Sequence, residues 1–309
     1  MPNWNDIMME IGSESNIFDR KRRGFISKLS EKTGRNTIIY YSGFLQKPTL
    51  SQQGVDFGIN DADKNGFMSA INKLDKGKGL DLFLHTPGGH ISATESIVHY
   101  LKSIFGNDIR AIIPQIAMSA GTMIACACKE IVMGKQSNLG PIDPQFGNLP
   151  AHGIIEEFET ARTEILSDNK NMLLWQHVLS KYSPTLIGEC QKAITWSETM
   201  VSEWLKSNMF ENDPDKDVVV EKIIREIGSH ATTFSHSRHI HADMLKNLGL
   251  KIIYMESDPE LQDLILSVHH CSIISLTQTP CIKIIENQLG NSYIQIAGNQ
   301  VMPPHIPIK

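Results

Sequence analysis

No two cysteines of this chain are spaced as CxxC, and the five present, at positions 126, 128, 190, 271 and 281, are odd in number and scattered. That excludes a disulfide framework and leads us to expect reduced, buried thiols in a cytoplasmic protein. No stretch reaches the roughly 18 consecutive apolar residues of a membrane span, so neither a transmembrane helix nor a membrane partner is expected. The opening MPNWNDIMMEIGSESN lacks a basic start followed by a roughly 7–15-residue apolar core, so no secretory signal is expected. Positive charge is also short. The formal net charge of -5 gives no reason to expect nucleic acid. Internal repeats and low-complexity segments are absent.

What is there is a soluble globular composition. With 309 residues, 41% of them hydrophobic, the chain can bury the core of one large domain or two modest ones. Residues 14–33 read as a helix stopped by Gly34, with DRKRRG as a solvated face; this makes 1–35 an N-terminal helical segment. Strand and helix patterns then alternate. Residues 36–45, 79–87, 108–115 and 130–134 read as strands, and 66–74, 92–105 and 118–129 as helices. Such strand–helix–strand units imply a mainly parallel sheet covered by helices. Residues 154–210 read as wholly helical, completing a domain expected over 36–210. The polar ENDPDKD marks a boundary, and 211–309 is expected to be a small α+β region. It includes a hairpin at 281–298 and an extended arm, VMPPHIPIK.

Two strand ends carry the candidate chemistry. His85-Thr86-Pro87-Gly88-Gly89-His90 follows one strand, where two glycines let the backbone approach a ligand closely. Met118-Ser119-Ala120-Gly121-Thr122 follows the next, where Ser119 is either a helix cap or a nucleophile. In a parallel sheet these loops gather at one edge. Together they offer a serine, a backbone N–H from Gly88 or Gly89, and the N–H of Ala120, which is the equipment of an acyl-transfer site.

The strings LFLHTPGG, AMSAGT and SNLGPIDPQFG, in that order, resemble the serine dehydrogenase proteinases. These are members of the ClpP/signal-peptide-peptidase-A clan, built on a crotonase-like spiral fold. The similarity covers roughly residues 36–210. It implies an α/β fold of β-β-α units with a helical extension, and a cytoplasmic, ATP-independent serine endopeptidase acting on peptides or unfolded proteins without cofactor or metal. It also implies a homo-oligomer, with the helix at 170–188 as a packing surface. By this resemblance Ser119 is the nucleophile and Gly88 and Ala120 are the oxyanion-hole donors, with Gly89 beside them. Thr86–Gly89 and Gly140–Gln145 then flank an extended substrate strand.

The proton acceptor is less direct. Where ClpP proteases place a histidine, this chain has Ile142-Asp143-Pro144-Gln145. Signal peptide peptidases use a lysine instead, and Lys170, just ahead of a helix, fits that place. Lys181 is the second lysine; His152, oriented by Asp168, is the histidine alternative. Asp143 reads as a turn residue. His230, His236, His239 and His241 read as surface or interdomain histidines, lacking HExxH spacing. Asp61, Asp63 and Asn65 fail as a calcium loop because Asn72 stands where a glutamate is required. Met118, Met123 and Met133 read as core filler. Two other readings stay open: an acyl-CoA enzyme of the crotonase type, and a non-catalytic oligomeric scaffold in which Ser119 only caps its helix.

Overall fold

The computed structural model describes residues 18–147, 149–228 and 235–297. Helix α1 (Phe18–Thr33) leads into β1 (Asn36–Ser42), then α2 (Pro48–Gln52) and α3 (Ala62–Ile71). Next come β2 (Leu80–His85), α4 (Ile91–Phe105), β3 (Ile109–Ile113), β4 (Ile116–Ala117), α5 (Ala120–Cys126), β5 (Glu130–Met133) and β6 (Asn138–Leu139). A small hairpin of β7 (Gln145–Phe146) and β8 (Leu149–Pro150) precedes α6 (Ala151–Ser167), α7 (Met172–Leu179), α8 (Leu186–Ser207) and α9 (Lys216–Gly228). The chain continues through β9 (Ile240–His241), α10 (Ala242–Leu248), β10 (Ile252–Tyr254), α11 (Pro259–Gln278), β11 (Cys281–Asn287) and β12 (Ser292–Ile296). Residues 14–17 of the expected first helix, His230 and the expected arm VMPPHIPIK lie outside the described residues.

The main sheet runs in the order β10-β5-β3-β2-β1-β11-β12. Its first five strands are parallel, and β11 and β12 are antiparallel. This is the α/β arrangement with a mostly parallel sheet that the resemblance implies. Strand side chains alternate between faces, and here both faces are covered. Ile38, Tyr40, Leu82 and Leu84 pack with α3, α4 and α5 on one side. Ile39, Tyr41, Phe83 and Ile112 pack with Ile26 and Leu29 of α1 and Ile265 of α11 on the other. Double coverage is why NTIIYYS reads as a continuous apolar run instead of an alternating one.

The division at residue 211 does not correspond to a separate body. β10 extends one edge of the main sheet, while β11 and β12 extend the other. Val220, Ile223 and Ile227 of α9 belong to the same core as β1 to β3. Buried ion pairs add to the union. Arg22 of α1 meets Glu286 of β11 at 2.7 Å, and Lys283 of β11 meets Asp63 of α3 at 2.8 Å. All five cysteines are buried thiols, and no described helix is long and apolar enough to cross a membrane.

A second, three-stranded sheet decides where the chemistry-bearing residues go. β6 pairs parallel with β4 and antiparallel with β9. The ends of β4 and β6 and the beginning of β9 therefore lie at one edge: Ala117 stands opposite Leu139, and Leu139 opposite Ile240.

Candidate active site

Ser119 follows β4 and immediately precedes α5. Its backbone has φ 48° and ψ -112°, a left-handed conformation that costs a non-glycine residue about 1–3 kcal/mol. The serine stands at the cap position of α5, yet its side chain makes no cap hydrogen bond. Surrounding bonds hold the strain in place. The Met118 N–H donates to Thr86 O at 3.0 Å, and the Gly121 N–H donates to Met118 O at 2.8 Å. Thr122 Oγ1 donates to Ala117 O and receives the Gly140 N–H, both at 3.0 Å. That threonine ties the start of α5 to the loop after β6. The expected alternative, in which Ser119 merely caps its helix, does not describe this hydroxyl.

The Pro-Gly-Gly turn lies against the serine. A Cβ built on Gly88, at φ 112°, would stand 2.7 Å from Ser119 Cβ, so only a glycine allows this approach. One on Gly89 would run into Ile59, 2.2 Å from its backbone nitrogen. Ile59 pins the turn, its N–H donating to Gly88 O at 2.7 Å and its carbonyl accepting from the His90 N–H at 2.9 Å. Lys283 braces this support by donating to the Gly58 carbonyl at 2.8 Å. A residue of the expected C-terminal region thus helps position the turn.

The two glycine amides differ. The Gly88 N–H is directed to Thr86 Oγ1 at 3.2 Å. The Gly89 N–H, like that of Ala120, has no acceptor among the described residues. Gly89 also lines the same cleft as Ser119.

That cleft has a volume of about 470 Å³. Its apolar side includes Met123, Ile142, Phe146 and Trp196, and His90 and His236 supply imidazoles. A second cleft of about 400 Å³ is lined by Phe44, Leu45, Ile116 and Met118. Pro87 and His236 line both, so the second, more apolar depression adjoins the mixed polar and apolar cleft of the serine.

The expected bases are elsewhere. Lys170, in the exposed turn before α7, has its backbone N–H bonded to Asp168 Oδ1 at 2.9 Å. Lys181 is exposed just past the end of α7. Neither lysine lines the Ser119 cleft. His152 of α6 lines a different cavity of about 640 Å³, with Lys206, Asp217, Glu221 and Arg225.

What the structure brings to the serine instead is a histidine–carboxylate pair. His236 Nδ1 lies 2.9 Å from Asp143 Oδ1; the carboxylate side chain is 0% exposed and the imidazole 27%. The other oxygen, Asp143 Oδ2, accepts from Gln145 Nε2 at 2.8 Å. Ser119 follows the end of β4, Asp143 follows the end of β6, and His236 leads into β9. All three therefore emerge at one edge of the small sheet. Their sequence separation, and the plain reading of Asp143 as a turn residue, hid the pair; only the pairing of β6 with β9 brings it together.

The family model described as "ClpP-like SDH-type serine proteinase" matches residues 13–265. Two uncharacterized proteins of the archaeon Methanocaldococcus jannaschii are also similar. One is 31% identical over 190 residues, covering 62% of this chain and 59% of that protein. The other is 32% identical over 190 residues, covering 62% and 57%. The chain thus spans less than two-thirds of the length of these relatives.

Proposed function

Because this chain belongs to the ClpP-like SDH-type serine proteinase family, we propose that it is an endopeptidase that cleaves extended polypeptide segments with the Ser119 hydroxyl as nucleophile. One observation carries the reading. Ser119 is held in a strained, uncapped conformation, in the same cleft as the unpartnered amide of Gly89. Strain at a cap position that caps nothing has no structural benefit of its own.

In the proposed reaction Ser119 Oγ attacks a peptide carbonyl carbon. The oxygen that gains charge accepts hydrogen bonds from the N–H groups of Gly89 and Ala120, which need no reorganisation to receive it. Gly88 serves the site by its lack of a side chain, while its own amide remains with Thr86. The apolar walls of the serine's cleft and of the adjoining one suit apolar side chains near the scissile bond.

The test is hydrolysis of a reduced, carboxymethylated protein by the full chain. Wild type generates internal cleavage products and Ser119→Ala does not. A Ser119→Ala variant as active as wild type would overturn the proposal.

A further inference from the structure

We infer that Lys283 and Asp63 are positioning residues for the reaction at Ser119: together they clamp the segment 58–60, which in turn aims the Gly89 N–H that receives the oxyanion. The inference rests on the peptidase reading above and names what holds its oxyanion donor in place.

A peptide unit is planar and trans, so its C=O and N–H point in opposite directions. The Gly88 carbonyl and the Gly89 N–H belong to one such unit. Gly88 O accepts from the Ile59 N–H at 2.7 Å, and this bond turns the Gly89 N–H to the side away from Ile59. Neither glycine has a Cβ to resist rotation of the unit between them. Its aim therefore comes from outside, from Ile59, which forms a single parallel bridge with Gly89.

Ile59 is itself gripped on both sides. Before it, Gly58 O accepts from Lys283 Nζ at 2.8 Å. After it, the Asn60 N–H donates to Asp63 Oδ2 at 3.0 Å. Lys283 closes the clamp by donating to Asp63 Oδ1 at 2.8 Å and Oδ2 at 3.0 Å. Three acceptors thus match the three hydrogens of the ammonium. Tyr40 of β1 adds a fourth contact, its hydroxyl donating to Asp63 Oδ2 at 2.8 Å. Burial and the neighbouring carboxylate push that phenol well above its ordinary pKa, so it stays a donor.

Both charges of the clamp are buried, the Lys283 side chain 1% exposed and that of Asp63 0%. Apolar residues of similar volume often serve stability as well as a buried ion pair does. They could not, however, hold a carbonyl and an amide on the two sides of Ile59. Strand β11 carries its own comparison. Glu286 leaves it on the opposite face, where its partners are Arg22 and Arg23 of α1. One strand therefore bears two buried ion pairs, of which one reaches the catalytic turn and the other joins a helix to the sheet.

Full-length wild type is compared with Lys283→Met, the double variant Lys283→Met/Asp63→Asn, Glu286→Gln and Ser119→Ala. For each, kcat and KM on the carboxymethylated protein and the urea midpoint are measured. Lys283→Met lowers kcat on the order of 10²-fold, the cost of a misplaced group at a reacting centre. KM stays within about twofold, because Lys283 lines neither cleft. The same change leaves Asp63 buried without its counter-charge, so the urea midpoint falls. Neutralising that carboxylate in the double variant raises the midpoint again, while kcat stays low because Gly58 O is still unheld. Glu286→Gln loses stability and keeps wild-type kcat. Wild-type kcat in folded Lys283→Met or in the double variant, a loss expressed in KM alone, or an equal loss of kcat in Glu286→Gln overturns the inference and leaves the peptidase reading intact. Activity surviving in Ser119→Ala overturns that reading, and the inference with it.

Discussion

Replacing Gly88 with alanine tests whether the turn and the serine are one device. The new Cβ would stand 2.7 Å from Ser119 Cβ and 3.2 Å from Met118 O. Unbonded carbons settle at about 3.5–4.0 Å, so one side must retreat by about 1 Å. The turn is fastened to Ile59 and Thr86, and α5 is buried along its whole length, so neither yields without cost. Alanine at φ 112° adds about 1–3 kcal/mol of backbone strain. A misplacement of this size at a reacting group costs on the order of 10²-fold in rate. We therefore expect Gly88→Ala to lower kcat/KM about 100-fold and unfolding free energy by about 1–3 kcal/mol. Gly54→Ala is the control: its φ is +87° with nothing within 4 Å of the added carbon, so it loses stability and keeps activity. Wild-type kcat/KM in a folded Gly88→Ala enzyme would show that the turn and the serine are not one device.

Two further outcomes follow from buried groups. His85 is packed between Tyr41, Phe44 and His269, with neither ring nitrogen hydrogen-bonded among the described residues, and burial lowers its pKa from 6.5 to about 3. Between these values the unfolded chain takes up a proton that the folded chain refuses. Stability therefore falls as pH drops from 6.5 toward 3, by about 1.4 kcal/mol per pH unit for this one group. His269, shifted down by burial and by His85 and His270, adds to the same trend. Urea titrations between pH 6.5 and 4.5 should give a shallower pH dependence for His85→Phe than for wild type; equal slopes would contradict this account. The thiols form the second case. Burial pushes Cys126 and Cys281 up to about 12, so Ellman's reagent should find almost no reactive thiol in the native chain at pH 8 and five after denaturation. Rapid modification of native protein would contradict that.

Much of the parallel core was legible because strand and helix periods alternate cleanly from residue 36 onward. The hairpin expected at 281–298 was legible too, with β11 pairing antiparallel to β12 across a turn after Asn287. Asn287 Oδ1 accepts the N–H groups of Leu289 and Asn291 there. Helix α11 was not foreseen. Ile265, Val268, Cys271, Ile274 and their neighbours are buried nearly all round, so no amphipathic stripe announces the helix. Its start did carry a signal in Asp258-Pro259, where Asp258 Oδ1 caps the Glu260 and Leu261 N–H groups. The boundary drawn at 211 treated a polar loop as the end of a body, whereas strand pairing across more than two hundred residues joins β11 to β1. At the site, local motifs named Ser119 and the glycines. They could not name which glycine keeps a free amide, because that depends on the Thr86 hydroxyl. Nor could they join Asp143 to His236, 93 residues apart along the chain.

The most direct measurement is reaction of the native full chain with a fluorophosphonate probe, followed by peptide mapping. If Ser119 is the activated hydroxyl, the phosphonyl group is found on the peptide carrying Ser119, at one equivalent per chain, and is absent from Ser119→Ala. An adduct on a different serine, or peptide hydrolysis that continues with Ser119 unmodified under excess probe, would contradict the account.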